Sequence, residues 1–234
     1  MKISQLKNLI REVVHQELGL VEKLALKNYT EYAKLVTQAY IDAPPYDSSA
    51  VSHWNALRTS NYTWWKRLIS EVEVIFVSGE SKYKNKPSTL SIAGKTYPLE
   101  YLQGGQPYDT ASQMANSYKN EGKLYISIDY SDHPLWSVED NIVFRTVHDY
   151  IVHIRGGFEF GLKGELGSYN LHAKLAPKAA LPALFTEIVG QAAYAVTTGD
   201  FPSQQKIAVL PGFSYLNVGE VEGYDIKDKA LVKK

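Results

Sequence analysis

The chain has 234 residues, 44% hydrophobic and 21% charged, which is long enough for one well-buried domain and too apolar for a disordered chain. Twenty-five Lys and Arg balance 25 Asp and Glu, so no whole-molecule field draws it to nucleic acid or an anionic membrane. Cysteine is absent, which excludes disulfides, thiolate zinc sites, iron–sulfur clusters and a thiol nucleophile, and leaves His, Asp, Glu and water as possible metal ligands.

Residues 1–22 contain "MKISQLKNLIREVVHQEL", with Ile3, Leu6, Leu9, Ile10, Val13, Val14 and Leu18 at helical spacing. That pattern predicts an amphipathic helix that docks either on its own domain or on a partner or virion lattice. Its charges interrupt what would be a signal peptide's apolar segment, and the longest apolar runs fall short of the ~18 residues of a spanning helix, so a cytoplasmic protein is expected.

Residues 23–228 are expected to form a single domain. "NYTEYAKLVTQAYIDA" predicts a helix stopped by Pro44 and Pro45. "DSSAVSHWNALRTSNYTWWKRLISE" predicts another, entered through Asp47 and Ser48 as caps. Its Trp54, Trp64, Trp65 and Leu68 read as core rather than as a base-stacking platform, because no Lys/Arg run accompanies them.

The middle third changes character. "EVEVIFVSG" alternates as a strand, "STLSIAGKTYPLEYL" reads as a hairpin, "YDTASQMANSYKNEG" as a helix and "KLYISIDYS" as a further strand. "SVEDNIVFRTVHDYIVHIRGG" then opens on Ser137 and Asp140, close to a capping box, and runs as a buried helix to Gly156 and Gly157. "KGELGSYNLHAKLA" and "ALPALFTEIVGQAAYAVTTG" are two more helices, divided around Pro177 and Pro182, followed by loop with short strands and a frayed tail at 229–234. The predicted class is α+β, a mainly helical single domain with a small antiparallel or mixed sheet from its middle third.

The chemistry concentrates in "VHDYIVHIRGGFEFG". Residues five apart on a regular α-helix are separated by about 140°, so His148 and His153 share a face only where the helix loosens into a π-type turn. Arg145, His148, Asp149, His153 and Arg155 interrupt Ile142, Val143, Phe144, Val147, Ile151, Val152 and Ile154, whose burial would leave those polar groups in need of partners. A metal is one such partner. Glu187 lies in an apolar run where a lone carboxylate calls for a cation, and two imidazoles with one carboxylate make the ligand set of non-haem Fe(II) oxygenases. No dinucleotide fingerprint, phosphate-binding loop, nucleophile elbow or His-Glu-x-x-His is present.

"HDYIVH" together with Glu187 of "FTEIVGQ" resembles the iron-binding motif of the pterin-dependent aromatic amino acid hydroxylases, His-Asp/Glu-x-x-Gly-His with a downstream glutamate. Val152 stands where that family has glycine. The resemblance covers about residues 137–191. It implies Fe(II) on His148, His153 and Glu187, tetrahydropterin as reductant, and hydroxylation of a small-molecule or modified-base substrate, with a protein side chain also open. Phe158 and Phe160 are the nearest aromatic candidates for contact with the pterin. Glu165 and His172, seven apart and so within about 20° on a helix, join Asp149 and Gln191 as candidates to orient the ligands or touch the substrate. A two-metal carboxylate site on Glu165, His172 and Glu187 stays open.

The block is also similar to an uncharacterised family of phage-encoded proteins, which implies a viral origin and a place in the host cytoplasm or the virion, but no chemistry. The adjacent pair His148-Asp149 resembles that of HD-type metal-dependent phosphohydrolases as well, with His53 or His133 upstream and Asp200 downstream. A third reading is non-enzymatic: a phage structural or packaged protein whose core is braced by a metal or a polar network.

Overall fold

The computed structural model describes residues 29–85 and 88–234, so the helix expected over 1–22 lies outside the described residues. The first described helix, α1 (Thr30–Asp42), ends two residues before Pro44. Lys206 completes that end by donating from Nζ to the carbonyls of Tyr40, Ile41 and Ala43 at 2.7, 2.9 and 2.6 Å. A cation here also meets the negative end of the helix dipole. Asp47 accepts from the Ser49 amide at 2.8 Å and starts a 3₁₀ turn that leads into α2 (Val51–Leu68).

β1 (Glu73–Ser78) is buried at every residue after Glu73, not alternately as expected. The reason is its place in a four-stranded sheet of order β2-β3-β1-β4, between β3 (Lys95–Tyr101) and β4 (Lys123–Ser127), parallel to both. A central strand covered on both faces reads as a continuous apolar run. β2 (Ser88–Ile92) pairs antiparallel with β3 across Ala93 and Gly94, whose φ of 50° and 76° are those of a type I′ turn. The sheet is therefore mixed and comes from the middle third. Between β3 and β4 lies α3 (Ala111–Glu121), capped by the Thr110 hydroxyl and ended by left-handed Gly122.

α4 (Val138–His148) opens on a full capping box: Ser137 Oγ accepts from the Asp140 amide and Asp140 Oδ2 from the Ser137 amide, both at 3.1 Å. It continues as a π-helix over Asp149–Arg155. α5 (Leu162–Leu175) follows, then α6 (Leu181–Phe185), a second π segment Thr186–Gly190, and α7 (Gln191–Thr198).

The fold is α+β and mainly helical, and its described residues pack as two compact units, 29–60 with 160–234 and 61–159. In the second unit Tyr97 meets Trp65 and Phe76 edge-on at 5.6 Å each. Trp64, Trp65 and Leu68 are buried there, and Trp54 is buried in the first unit, so the aromatic side of α2 is core. In the first unit Tyr40 packs on Tyr194 at 5.7 Å, close against Gly190, where an added Cβ would come within 2.9 Å of the Tyr40 ring. The continuous helix Lys178–Thr198 is long and apolar enough to cross a membrane, unlike the shorter runs expected, yet 67% of its apolar 18-residue window is buried inside the protein as a core helix would be.

Residues 229–234 are not frayed. β5 (Tyr224–Lys227) and β6 (Ala230–Lys233) form an antiparallel hairpin closed by Asp228 and Lys229 at φ 49° and 63°, again a type I′ turn. The main-chain pairing and the Lys234–Asp225 ion pair at 3.4 Å hold what polar composition alone suggested would hang free.

Candidate metal centre

The π-helix answers the problem of phase posed by His148 and His153. Its wider turn makes residues five apart near neighbours. The two rings lie edge to face with centroids 5.1 Å apart. One ligand atom from each of His148, Asp149 and His153 falls within 4.8 Å of the others. Val152, which replaces the glycine of the hydroxylase motif, sits buried inside the π segment, so the turn forms without a glycine there.

The segment leaving the helix sets the chemistry of His153. Gly157, at φ 69°, turns the chain, and the Phe158 amide returns to the Val152 carbonyl at 3.2 Å. That closure spans one residue more than the Schellman ending of an α-helix, as the wider turn requires. The Phe158 carbonyl then meets His153 Nδ1 at 2.8 Å. A carbonyl only accepts, so Nδ1 carries a proton, and in the neutral ring Nε2 then keeps its lone pair, the arrangement typical of a metal-binding imidazole. Phe158 itself is buried, and its carbonyl is what it presents to His153.

Arg145 anchors the start of the group. Its Nη1 donates to the carbonyls of Ser127 and Asp129 at 3.1 and 2.8 Å and to Ser131 Oγ at 3.1 Å. Burial pushes its pKa down while the negative charges of Asp149 and Asp129 oppose the shift. Asp129 is clamped in turn, Oδ1 accepting from Ser78 Oγ at 2.6 Å and Oδ2 from the Gly79 amide at 2.8 Å. The carboxyl ends of the parallel strands β1 and β4 are thus tied to the residue four before Asp149.

A second network grips the π-helix from its other end. Arg155 donates from Nε and Nη2 to the Tyr150 hydroxyl oxygen at 2.9 and 2.6 Å, and from Nη2 to Glu71 Oε2 at 2.9 Å. The Tyr150 hydroxyl donates to the same Glu71 oxygen at 2.9 Å. The guanidinium lies over the rings of Tyr118 and Tyr150. Burial raises the Tyr150 pKa far above the ordinary phenol value, with Arg155 pulling the other way, so the phenol holds its proton. Sequence reading passed over Glu71, Tyr118 and Tyr150. The available signal was the five-residue spacing of Tyr150 and Arg155, which repeats that of the histidines.

The remaining candidates belong to the other unit. Glu187 is 6% exposed in the second π segment, and its two oxygens accept from Trp54 Nε1 at 3.2 Å and Gln191 Nε2 at 2.7 Å. These two neutral donors are among the partners of the Glu187 carboxylate in its apolar setting. Gln191, four residues on from Glu187, thus meets it directly. Glu165 and His172 both lie on α5, Glu165 half-buried and His172 fully buried, while Phe160 is an exposed side chain ahead of that helix.

Among the described residues, the one His/Asp/Glu group placed to hold a metal is His148, Asp149 and His153. Neither His53, His133 nor Asp200 is part of it. His53 Nδ1 donates to the Ala179 carbonyl at 2.7 Å. His133 stacks on Trp136, and its Nδ1 accepts from the amides of Leu135 and Trp136 at 3.2 and 2.8 Å, which commits that nitrogen to a turn. Asp200 is exposed. Among the described residues, no upstream histidine or downstream aspartate joins the adjacent His-Asp pair in that group.

No known protein family, characterised protein or solved structure matches this chain.

Proposed function

We propose that this protein is a mononuclear metalloprotein of the non-haem iron oxygenase type, with a divalent metal held by His148, His153 and one carboxylate. The observation that carries the reading is the π turn, which sets both imidazoles and the Asp149 carboxylate within 4.8 Å of one another. The donor set suits the metal: two neutral nitrogens and one carboxylate, with no thiolate, fit Fe(II) and leave coordination positions open. Bound there, Fe(II) would supply oxygen activation for a hydroxylation, with tetrahydropterin as the implied reductant.

The chain's own part is to hold the ligands. The Phe158 carbonyl fixes the tautomer of His153, Arg145 balances the charge of Asp149, and the buried apolar residues around them keep water from the imidazoles. Asp149 is the carboxylate this unit supplies, whereas the hydroxylase resemblance gives the role to Glu187. Absence of cysteine suits a reducing cytoplasm.

Untagged protein reconstituted anaerobically should retain about one Fe(II) per chain, and His148→Ala or His153→Ala should abolish the binding. Wild-type protein that retains no Fe(II), or that binds it equally well without either histidine, would end this reading.

A further inference from the structure

Two residue pairs at the π-helix and the residue that opens it are spaced five apart and meet side chain to side chain: His148 with His153, and Tyr150 with Arg155. In an α-helix neither pair would meet. The Tyr150–Arg155 contact therefore forms only in the π winding, and it is not left to itself. Glu71 accepts from both members through one oxygen, and its side chain is only 5% exposed. Tyr118 closes the cluster, its ring edge-on to Tyr150 at 5.7 Å and beneath the Arg155 guanidinium.

We infer that Glu71, Tyr150 and Arg155 are positioning residues that hold this helix in π register and so keep His148 and His153 together. The inference rests on the metal reading of that histidine group. Without the clamp, a return to α winding would need one residue of slack, which Gly156 and Gly157 at the helix end can give. The histidines would then diverge by about 140°. Glu71 comes from outside the helix, 79 residues before Tyr150, so tertiary contact chooses the winding.

Co(II) serves as the probe, titrated into the full chain and followed by its visible absorption. Tyr150→Phe removes the hydroxyl at the centre of the clamp and leaves the Glu71–Arg155 ion pair, and Arg155→Met removes both contacts. Each should weaken Co(II) binding by about 10-fold or more, the scale seen when groups orienting a ligand are lost. The Co(II) spectrum should change even where melting temperature and circular dichroism do not. Arg155→Lys should restore part of the affinity.

A metal-free readout separates this inference from the reading beneath it. The chain has no cysteine, so His148→Cys/His153→Cys carries the sole pair. In an α-helix those positions are about 7.5 Å apart in rise alone, beyond the ~7 Å Cα limit for a disulfide. Oxidation should close the disulfide in the otherwise native chain and slow markedly when Tyr150→Phe is added. Wild type that binds Co(II) while folded Tyr150→Phe and Arg155→Met bind it equally overturns the clamp. So does a disulfide that forms at the same rate with and without Tyr150. Wild type that binds no metal overturns the metal reading alone, and the disulfide rates still judge the clamp.

Discussion

His153 donates its Nδ1 proton to the carbonyl of Phe158 at 2.8 Å, so the loop that leaves the helix dictates which ring nitrogen is left to bind a metal. The geometry of that loop depends on Gly157 at φ 69°. An added Cβ would meet nothing within 4 Å, so the cost of Gly157→Ala is backbone strain alone, about 1 kcal/mol. We expect a small fall in stability by urea denaturation and a larger proportional fall in Co(II) affinity, as the carbonyl moves off the imidazole.

Asp149 and Glu187 are separable by substitution. Asp149→Asn removes the carboxylate grouped with the histidines and should lower the Fe(II) retained after anaerobic dialysis. Glu187→Gln replaces one acceptor oxygen by an NH₂ that faces the N–H of either Trp54 or Gln191, leaving one buried donor without its acceptor. That should cost about 1–3 kcal/mol in thermal or urea unfolding. Retained Fe(II) in Glu187→Gln assigns the ligand role to Asp149, and its loss at unchanged stability assigns it to Glu187.

The neighbouring glycines at 104 and 105 should respond very differently. A Cβ at Gly105 would stand 2.0 Å from Asp129 Oδ2, whereas one at Gly104 would meet nothing within 4 Å. Both have positive φ, 84° and 69° in chain order, so both substitutions to Ala carry strain of about 1 kcal/mol. Gly105→Ala must also displace the Asp129 carboxylate from Ser78 and Gly79, and we expect about 3 kcal/mol in total from urea unfolding. Equal losses at the two positions would mean the Asp129 clamp contributes nothing.

At the C-terminal hairpin, Lys229→Gly should stabilise rather than destabilise. Lys229 holds φ 63° in the turn, a conformation that costs a side-chain-bearing residue about 1 kcal/mol and glycine almost nothing. Amide exchange over β5 and β6 should slow in the variant.

Much of this molecule is legible along the chain because its determinants are local. Ser137 and Asp140 announce the start of α4, Gly122 the end of α3, and Ala93-Gly94 the hairpin turn, each through hydrogen bonds or dihedrals set within four residues. The tryptophans of α2 announce core because nothing charged accompanies them. His148 and His153 are legible as metal-ligand candidates by residue type and by the polar interruption of an apolar helix, whereas Asp149 reads there only as a residue that orients the ligands, and its place in the group comes from the fold.

Other features needed partners the linear pattern does not name. β1 is an interior strand paired along both edges and buried on both faces, and β6 is ordered because Tyr224–Lys227 lies opposite. The Glu187 carboxylate accepts from an indole 133 residues away. Above all, the spacing of the two histidines stated a condition, that the helix widen, and could not meet it. Local propensity favours the α ring of hydrogen bonds, and the π ring accompanies side chains clamped by contacts such as that of Glu71 with Tyr150, which only the folded chain brings together.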